Sequence, residues 1–457
     1  MSDTAHMTDD RGTVRPGPGT STVVRGGLHD IPAPGPLRQL KGLRDIRRDQ
    51  VGYLSRLIAE YGDMCRIRLL HVPMVMVNHP DDVQRVLVDN HENYDKDTFL
   101  YRTVRPVLRS GLVGAVGGEQ WHRLRRMMQP SFHRPKVATF VPTITDEAAA
   151  LVRRWQRHRP TDVVDVYPDI TNTVLRIVTK TLFGADLGSG IDYVERDFKT
   201  GNKIMGSFLR FPFPPLSWPT PAHIRLRYLI RKMDRFIDDV VRQREESGDD
   251  TPNLLGVLAA AVDDRTGYHM TAEQLHYEVI NTMIGGYETT SNGVTWLLYQ
   301  VARHPEVQRR LHAEIDEVLG DRTPTFDDLA RLTYTRMVVD ETLRLNSPAF
   351  QTMRRAIRDD VVGGYHIPAG TNLYVNFLLL QRNPTFWPDP ERFDPDRFLP
   401  ENVARRPRNA YLPFGSGPRI CIGKYFGLAE LQLLTAMLLQ TYRIQLPDGW
   451  PEAQMEA

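Results

Sequence analysis

Apolar positions along this 457-residue chain recur mainly at helical spacing. Across 49–61, Val51, Leu54, Leu57 and Ile58 share one face, which predicts an amphipathic helix. Two short runs follow, 65–70 and 74–77, separated by His71 and Pro73, and these read as strands. The helical period then continues over 80–89, 120–128, 142–156, 170–182, 224–246, 271–304, 305–319 and 332–345. Strand-like residues return near 364–373. A mostly helical chain whose minor sheet draws on distant segments predicts one interlocked domain, not several in series. The expected fold class is therefore mainly α with a small β subdomain, built from about 60–80 and 350–395 within a single domain spanning 37–457.

Composition narrows the reading. Residues 1–36 are rich in Gly, Pro, Ser and Thr and lack apolar spacing, which predicts a disordered leader. The Pro-rich stretches 210–221 and 386–400 interrupt regular structure. With 41% hydrophobic and 25% charged residues the chain carries a packed core. Its net charge of +2 sets up no field for nucleic acid. The longest apolar run, 254–262, is far short of the roughly 20 residues that span a bilayer, so no membrane association is expected. The N-terminus has acids, Pro and Gly where a secretory signal needs a basic start and an apolar stretch. A cytoplasmic monomer is expected. Cys65 and Cys421 are the two cysteines, which excludes a disulfide framework and a four-cysteine zinc site.

The chemistry concentrates in four places. FGSGPRICIG, 414–423, precedes the helical pattern Leu428, Leu431, Leu434, Leu438, so Cys421 sits where a loop enters a helix. Free N–H groups and the dipole there favour a thiolate, suited to metal ligation or nucleophilic attack. Gly415, Gly417 and Gly423 let backbone approach something flat, and Arg419 adds fixed positive charge. Gly415-x-Gly417 is no dinucleotide fingerprint, because the third glycine would fall at Ile420 and no strand precedes it. Glu341 and Arg344 are three apart on a helix and can pair, but Glu306 and Arg309 have the same spacing, whose default meaning is a solvated contact. In GGYETT, 285–290, the adjacent Gly285 and Gly286 cost a helix about 1 kcal/mol each relative to Ala, which points to close approach by a ligand. Glu288 and Thr289 place an acid and a hydroxyl at that opening. Finally, Trp121 and Arg125 lie one turn apart, and Arg355, next to Arg354, opens a strand-like stretch.

Phe414, Gly417, Arg419, Cys421 and Gly423 match the haem-binding pattern F-x-x-G-x-R-x-C-x-G. The chain thereby resembles the soluble bacterial cytochromes P-450, haem-thiolate monooxygenases. Five fixed positions arise by chance about once in 10,000 chains of this length. The resemblance covers most of the chain and implies a helix-rich prism holding haem b between the long central helix and the cysteine helix. It makes Cys421 the axial ligand and Phe414, Gly415 and Gly423 part of the haem loop. It has Thr289 hydrogen-bond dioxygen, the cosubstrate, while Glu288 feeds protons for O–O cleavage. Trp121, Arg125, Arg355 and Arg419 would meet the propionates, with Arg354 as a substitute for Arg355 one residue away. Glu341, Arg344 and Arg397 would form a buried network, with Arg392 competing for the third place. Phe208, Phe211, Phe213, Gly285, Gly286, Ala349 and Phe350 would line a pocket for a sizeable hydrophobic substrate, in keeping with secondary metabolism.

No flavin or nicotinamide fingerprint is present, so electrons would come from NAD(P)H through a separate ferredoxin and ferredoxin reductase. Arg405, Arg406 and Arg408, with Arg123 and Arg126, form the candidate docking face. Only 36 residues follow Cys421, where family members continue into strands that wall the pocket. Either the chain stops short there or the pocket is unusually open. Three rival readings remain: oxidative ring closure or coupling without oxygen insertion, a thiol enzyme pairing Cys421 with His133 or His366, and a haem sensor.

Overall fold

The computed structural model describes residues 24–69, 72–159, 161–184, 191–210, 216–247 and 253–453. The periodic segments fold as expected, with ends set by local chemistry. Helix α1, Gln50–Tyr61, starts where the Asp49 side chain accepts from the Gly52 N–H. Strands β1, Met64–Leu69, and β2, Val72–Val77, pair antiparallel with Met64 opposite Val77. The predicted helix over 80–89 is an α-turn, Pro80–Gln84, that widens into a π-turn, Arg85–Asp89. The two-residue strand β3, Tyr94–Asp95, precedes helices α2, Phe99–Leu108, and α3, Gly118–Met128. Helices α4, Val166–Phe183, α5, Ile191–Arg210, and α6, Pro221–Ser247, lead to the 32-residue α7, Ala272–Arg303. After α8, Thr333–Leu345, come strands β4, Gln351–Ala356, and β5, Asn372–Asn376, and then α9, Lys424–Thr441.

The sheet order is β1-β2-β5-β4-β3, so its strands come from both ends of the chain. β5 runs parallel to β2 and antiparallel to β4, with Tyr374 opposite Met353. Among the helices, α7 packs on α4 and α9, with Val294, Leu297 and Val301 fully buried. Helix α9 is buried on nearly every side, as an all-round apolar sequence requires. Cys421 therefore sits three residues before a helix that is locked into the core.

Two expectations need correction. Residues 24–36 were assigned to a disordered leader, yet they are docked. The Gly364 carbonyl accepts from the Arg25 N–H, the His366 N–H donates to the Gly26 carbonyl, and Ile31 is buried. The edge of the antiparallel hairpin formed by Asp360–Val362 and Tyr365–Ile367 pairs with this segment at Tyr365; residues 1–23 lie outside the described ones. Helices α2 and α5 were not predicted, because Pro106 and Arg105 interrupt the first and polar residues dilute the second. Within the Pro-rich loop 210–221, residues 211–215 lie outside the described ones, Phe211 and Phe213 among them.

Candidate haem-thiolate site

The cysteine loop is shaped by backbone geometry. The Cys421 N–H donates to the Phe414 carbonyl at 2.9 Å, closing the loop on itself. Gly415 and Gly417 both adopt positive φ, +73° and +71°. At Gly417 a side chain is also excluded by space, because its Cβ would lie 1.9 Å from the Leu87 carbonyl oxygen in the π-turn. At Gly423 a Cβ would stand 3.9 Å from the Cys421 sulfur.

Cys421 is exposed to a cavity of about 410 Å³. Burial within the protein pushes its thiol pKa up, against the Gly423 N–H, Arg125 and Lys424, which pull it down. This reverses the expectation from the helix entry alone: desolvation outweighs the local dipole and cations. A bound metal cation removes that penalty by taking the thiolate as ligand.

From α7, Gly285, Gly286 and Thr289 line the cavity. Beside Gly285 a Cβ would meet open space, whereas at Gly286 it would press to 3.3 Å on Val178 of α4. So Gly285 opens the cavity and Gly286 serves helix packing. The Thr289 hydroxyl donates to the Gly285 carbonyl at 2.6 Å. Glu288 does not line the cavity; burial raises its pKa.

A cluster of cations lines the same cavity. Arg419 stacks on Trp121, with its guanidinium carbon 4.2 Å from the ring centroid, and donates to the Val116 carbonyl at 2.9 Å. Burial, with Arg354 nearby, lowers its pKa to about 10. Arg354 is buried and donates to Thr352 Oγ1 at 2.7 Å. Lys96 Nζ lies 4.5 Å from the Tyr101 ring centroid and donates to the Val113 carbonyl; burial brings its pKa to about 8. For Tyr101, burial alone would raise the pKa, but Lys96 and Arg354 overcome it and bring the phenol to about 7. Arg125 lines the same cavity and donates to the Ile420 carbonyl at 2.9 Å.

Arg355 does not belong here. It is one-third exposed and pairs with Asp95 at 2.6 Å and Asp97 at 2.9 Å, outside the cavity. Successive residues of β4 face opposite sides, and Arg354 and Thr352 are the ones that face in. Lys96 and Tyr101 had no signal in the sequence beyond their residue types. Trp121, Arg125, Ala349, Phe414, Gly415, Arg419 and Gly423 all line the cavity. Phe208 does not; it is buried edge-on against His223 at 5.7 Å. Phe350 lines a second cavity instead.

Beneath the site, Glu341 and Arg344 are fully buried and bidentate, at 2.6 and 2.8 Å. Arg344 also donates to the carbonyls of Gln381, Pro390 and Arg392, and the Asp394 N–H donates to Glu341. Arg397 joins as an ion pair at 3.5 Å, while Arg392 contributes only its carbonyl. Arg406 belongs to this network, not to an open docking face: it stacks 3.9 Å over Trp387 and donates to the Arg397 carbonyl. Arg126 is also engaged, with Asp263 and Glu119, and Arg123 stacks on Tyr268.

A thiol and buried cations that have no carboxylate partner among the described residues, all lining one cavity, fit an iron porphyrin, whose metal would take the thiolate and whose two propionates would take the cations. The class defined by this fold and site is a haem-thiolate protein. The family model described as cytochrome P-450 matches residues 29–457, and the chain belongs to that family. It is 32% identical to cyclooctat-9-en-7-ol 5-monooxygenase of Streptomyces melanosporofaciens, covering 91% of this chain and 90% of the relative. Against pentalenene oxygenase of Streptomyces avermitilis it is 31% identical, covering 91% and 92%. Human cytochrome P-450 4F8 is 32% identical, covering 89% and 83%. The protein is an oxidoreductase of the monooxygenase class.

Proposed function

We propose that Cys421 binds haem b as its axial thiolate and that the protein inserts oxygen into a sizeable, mainly hydrophobic molecule. The observation that supports the cofactor assignment is that Cys421, Lys96, Arg354 and Arg419 line one cavity. When bound, the haem supplies dioxygen activation, favoured by electron density from the thiolate. The chain's own residues then have distinct tasks. Lys96, Arg354 and Arg419 neutralise the propionates, and Arg125 braces the cysteine loop through Ile420. Gly285 leaves room for a small molecule against α7, and Thr289, whose hydroxyl donates to the Gly285 carbonyl, lines that space. Glu288, whose pKa burial raises, feeds protons through Thr289.

The substrate class is supported by the apolar walls, including Leu112, Val113 and Phe132, and by the carbocycles named in two relatives. Electrons come from NAD(P)H through a ferredoxin and its reductase, with the exposed Arg405 and Arg408 as the free part of the docking face. The test is the visible spectrum of the reduced protein under carbon monoxide. A strongly red-shifted Soret band, lost in Cys421→Ala, is expected. A protein that stays colourless after haem addition overturns the reading.

A further inference from the structure

Strand β4 is a wall one strand thick between two chambers. Thr352 and Arg354 face the cavity beside Cys421, Met353 faces a second cavity of about 180 Å³, and Gln351, at the start of the strand, lines both. Apolar residues such as Leu54, Ile67 and Leu100 make most of the second chamber, with Gly206 contributed by α5.

The Gln351 amide is oriented by a chain of hydrogen bonds that begins in the backbone. The Leu379 N–H donates to Asn376 Oδ1 at 3.0 Å, which turns Asn376 Nδ2 toward the Tyr374 hydroxyl, also at 3.0 Å. Having accepted there, Tyr374 gives its own proton to Gln351 Oε1 at 2.5 Å. Burial holds the Tyr374 phenol protonated by raising its pKa well beyond neutrality. Gln50 Nε2 approaches the same Gln351 oxygen at 3.4 Å. The oxygen is thus spoken for, and among the described residues Gln351 Nε2 has no acceptor. The partition between two apolar chambers carries one oriented, unpaired N–H donor.

We infer that the second chamber is the far end of the substrate site and that Gln351 selects an elongated, mainly apolar molecule carrying a carbonyl, ether or hydroxyl oxygen remote from the carbon oxidised. The inference rests on the monooxygenase reading above. It makes Gln351 a specificity-determining residue, since a substrate lacking that oxygen leaves the donor unsatisfied on desolvation.

The test is optical titration of the haem-loaded protein with 1-alkylimidazoles of increasing length and with matched chains ending in a methyl ketone. Short pairs should bind within about 2-fold of each other. Once the chain reaches β4, the ketone should bind about 5-fold more tightly than the alkane, the worth of one neutral hydrogen bond. Gln351→Leu should erase that preference. Gly206→Leu approaches from another element, at a position where a Cβ has no heavy atom within 4 Å, and fills the second chamber. It should weaken the long probes at least about 10-fold and leave imidazole itself unchanged. A ketone preference that never exceeds 2-fold, or survives Gln351→Leu, or long probes indifferent to Gly206→Leu, would overturn the inference. Failure of the haem assignment shows separately, as no Soret shift with imidazole itself.

Discussion

Replacing Glu341 by Ala isolates what the buried pair contributes. The substitution strands the Arg344 guanidinium, 0% exposed, with carbonyl partners alone, and deprives the Asp394 N–H of its acceptor. Removing one member of a buried pair costs about 3–5 kcal/mol, against a total stability of roughly 5–15 kcal/mol. Arg344→Ala should cost a similar amount, by stranding the carboxylate and leaving the Gln381 and Pro390 carbonyls without their donor. Because the second removal relieves the first charge, the double variant should cost less than the sum by about 2 kcal/mol or more. The control is Glu306→Ala: Glu306 and Arg309 share the three-residue spacing but are both exposed, and the change should stay within about 0.5 kcal/mol. The assay is guanidinium unfolding followed by the Soret band and by far-ultraviolet circular dichroism, with coincident transitions required before a free energy is taken. Additivity within about 0.5 kcal/mol would refute the stranded-charge argument, as would a single-variant cost below about 1 kcal/mol, the range of a surface pair.

The remaining predictions concern the cavity walls. Arg354→Ala should lower haem affinity at least about 10-fold in competition with apomyoglobin, whereas Arg355→Ala, which loses only its partly exposed contacts to Asp95 and Asp97, should stay within about 2-fold. Equal losses from the two would show that the strand faces the other way. Gly417→Ala combines a positive φ with a clash on Leu87 and should abolish the folded, haem-loaded protein at 37 °C, seen as a missing Soret band. Glu278 is fully buried on α7, accepts from the Leu112 N–H and Gln274, and has its pKa raised by burial to about 7. Its folded pKa lies above the ordinary carboxylate value of 4.5, so its favourable contribution is complete below pH 4.5 and lost as pH rises through 7. Relative to Glu278→Gln, the wild type should therefore lose about 3 kcal/mol of stability across that window; denaturation midpoints that run parallel for both proteins would contradict this.

What the sequence made legible follows from how each feature is encoded. Cys421, Gly415 and Gly417 were readable because local backbone demands restrict them: two positive φ angles and one backbone contact admit little else. Helices α7 and α9 were readable because their apolar positions repeat over many turns. Glu341 and Arg344 were readable only through resemblance, since their spacing equals that of an exposed pair and burial is a property of the assembled fold. Arg354 and Arg355 show the limit most sharply. Adjacent arginines have identical local chemistry, and the choice between them is the phase of a strand, set by the pairing of β4 with β5 and β3. That phase puts Asp95 opposite Arg355 and so removes Arg355 from the site, while its neighbour joins Lys96 and Tyr101. The same phase sends Met353 to the far side and leaves Gln351 at the strand end, where it reaches both chambers. One register therefore decides which arginine lines the cavity beside Cys421 and which amide reaches both chambers, and no local pattern in the sequence carries it.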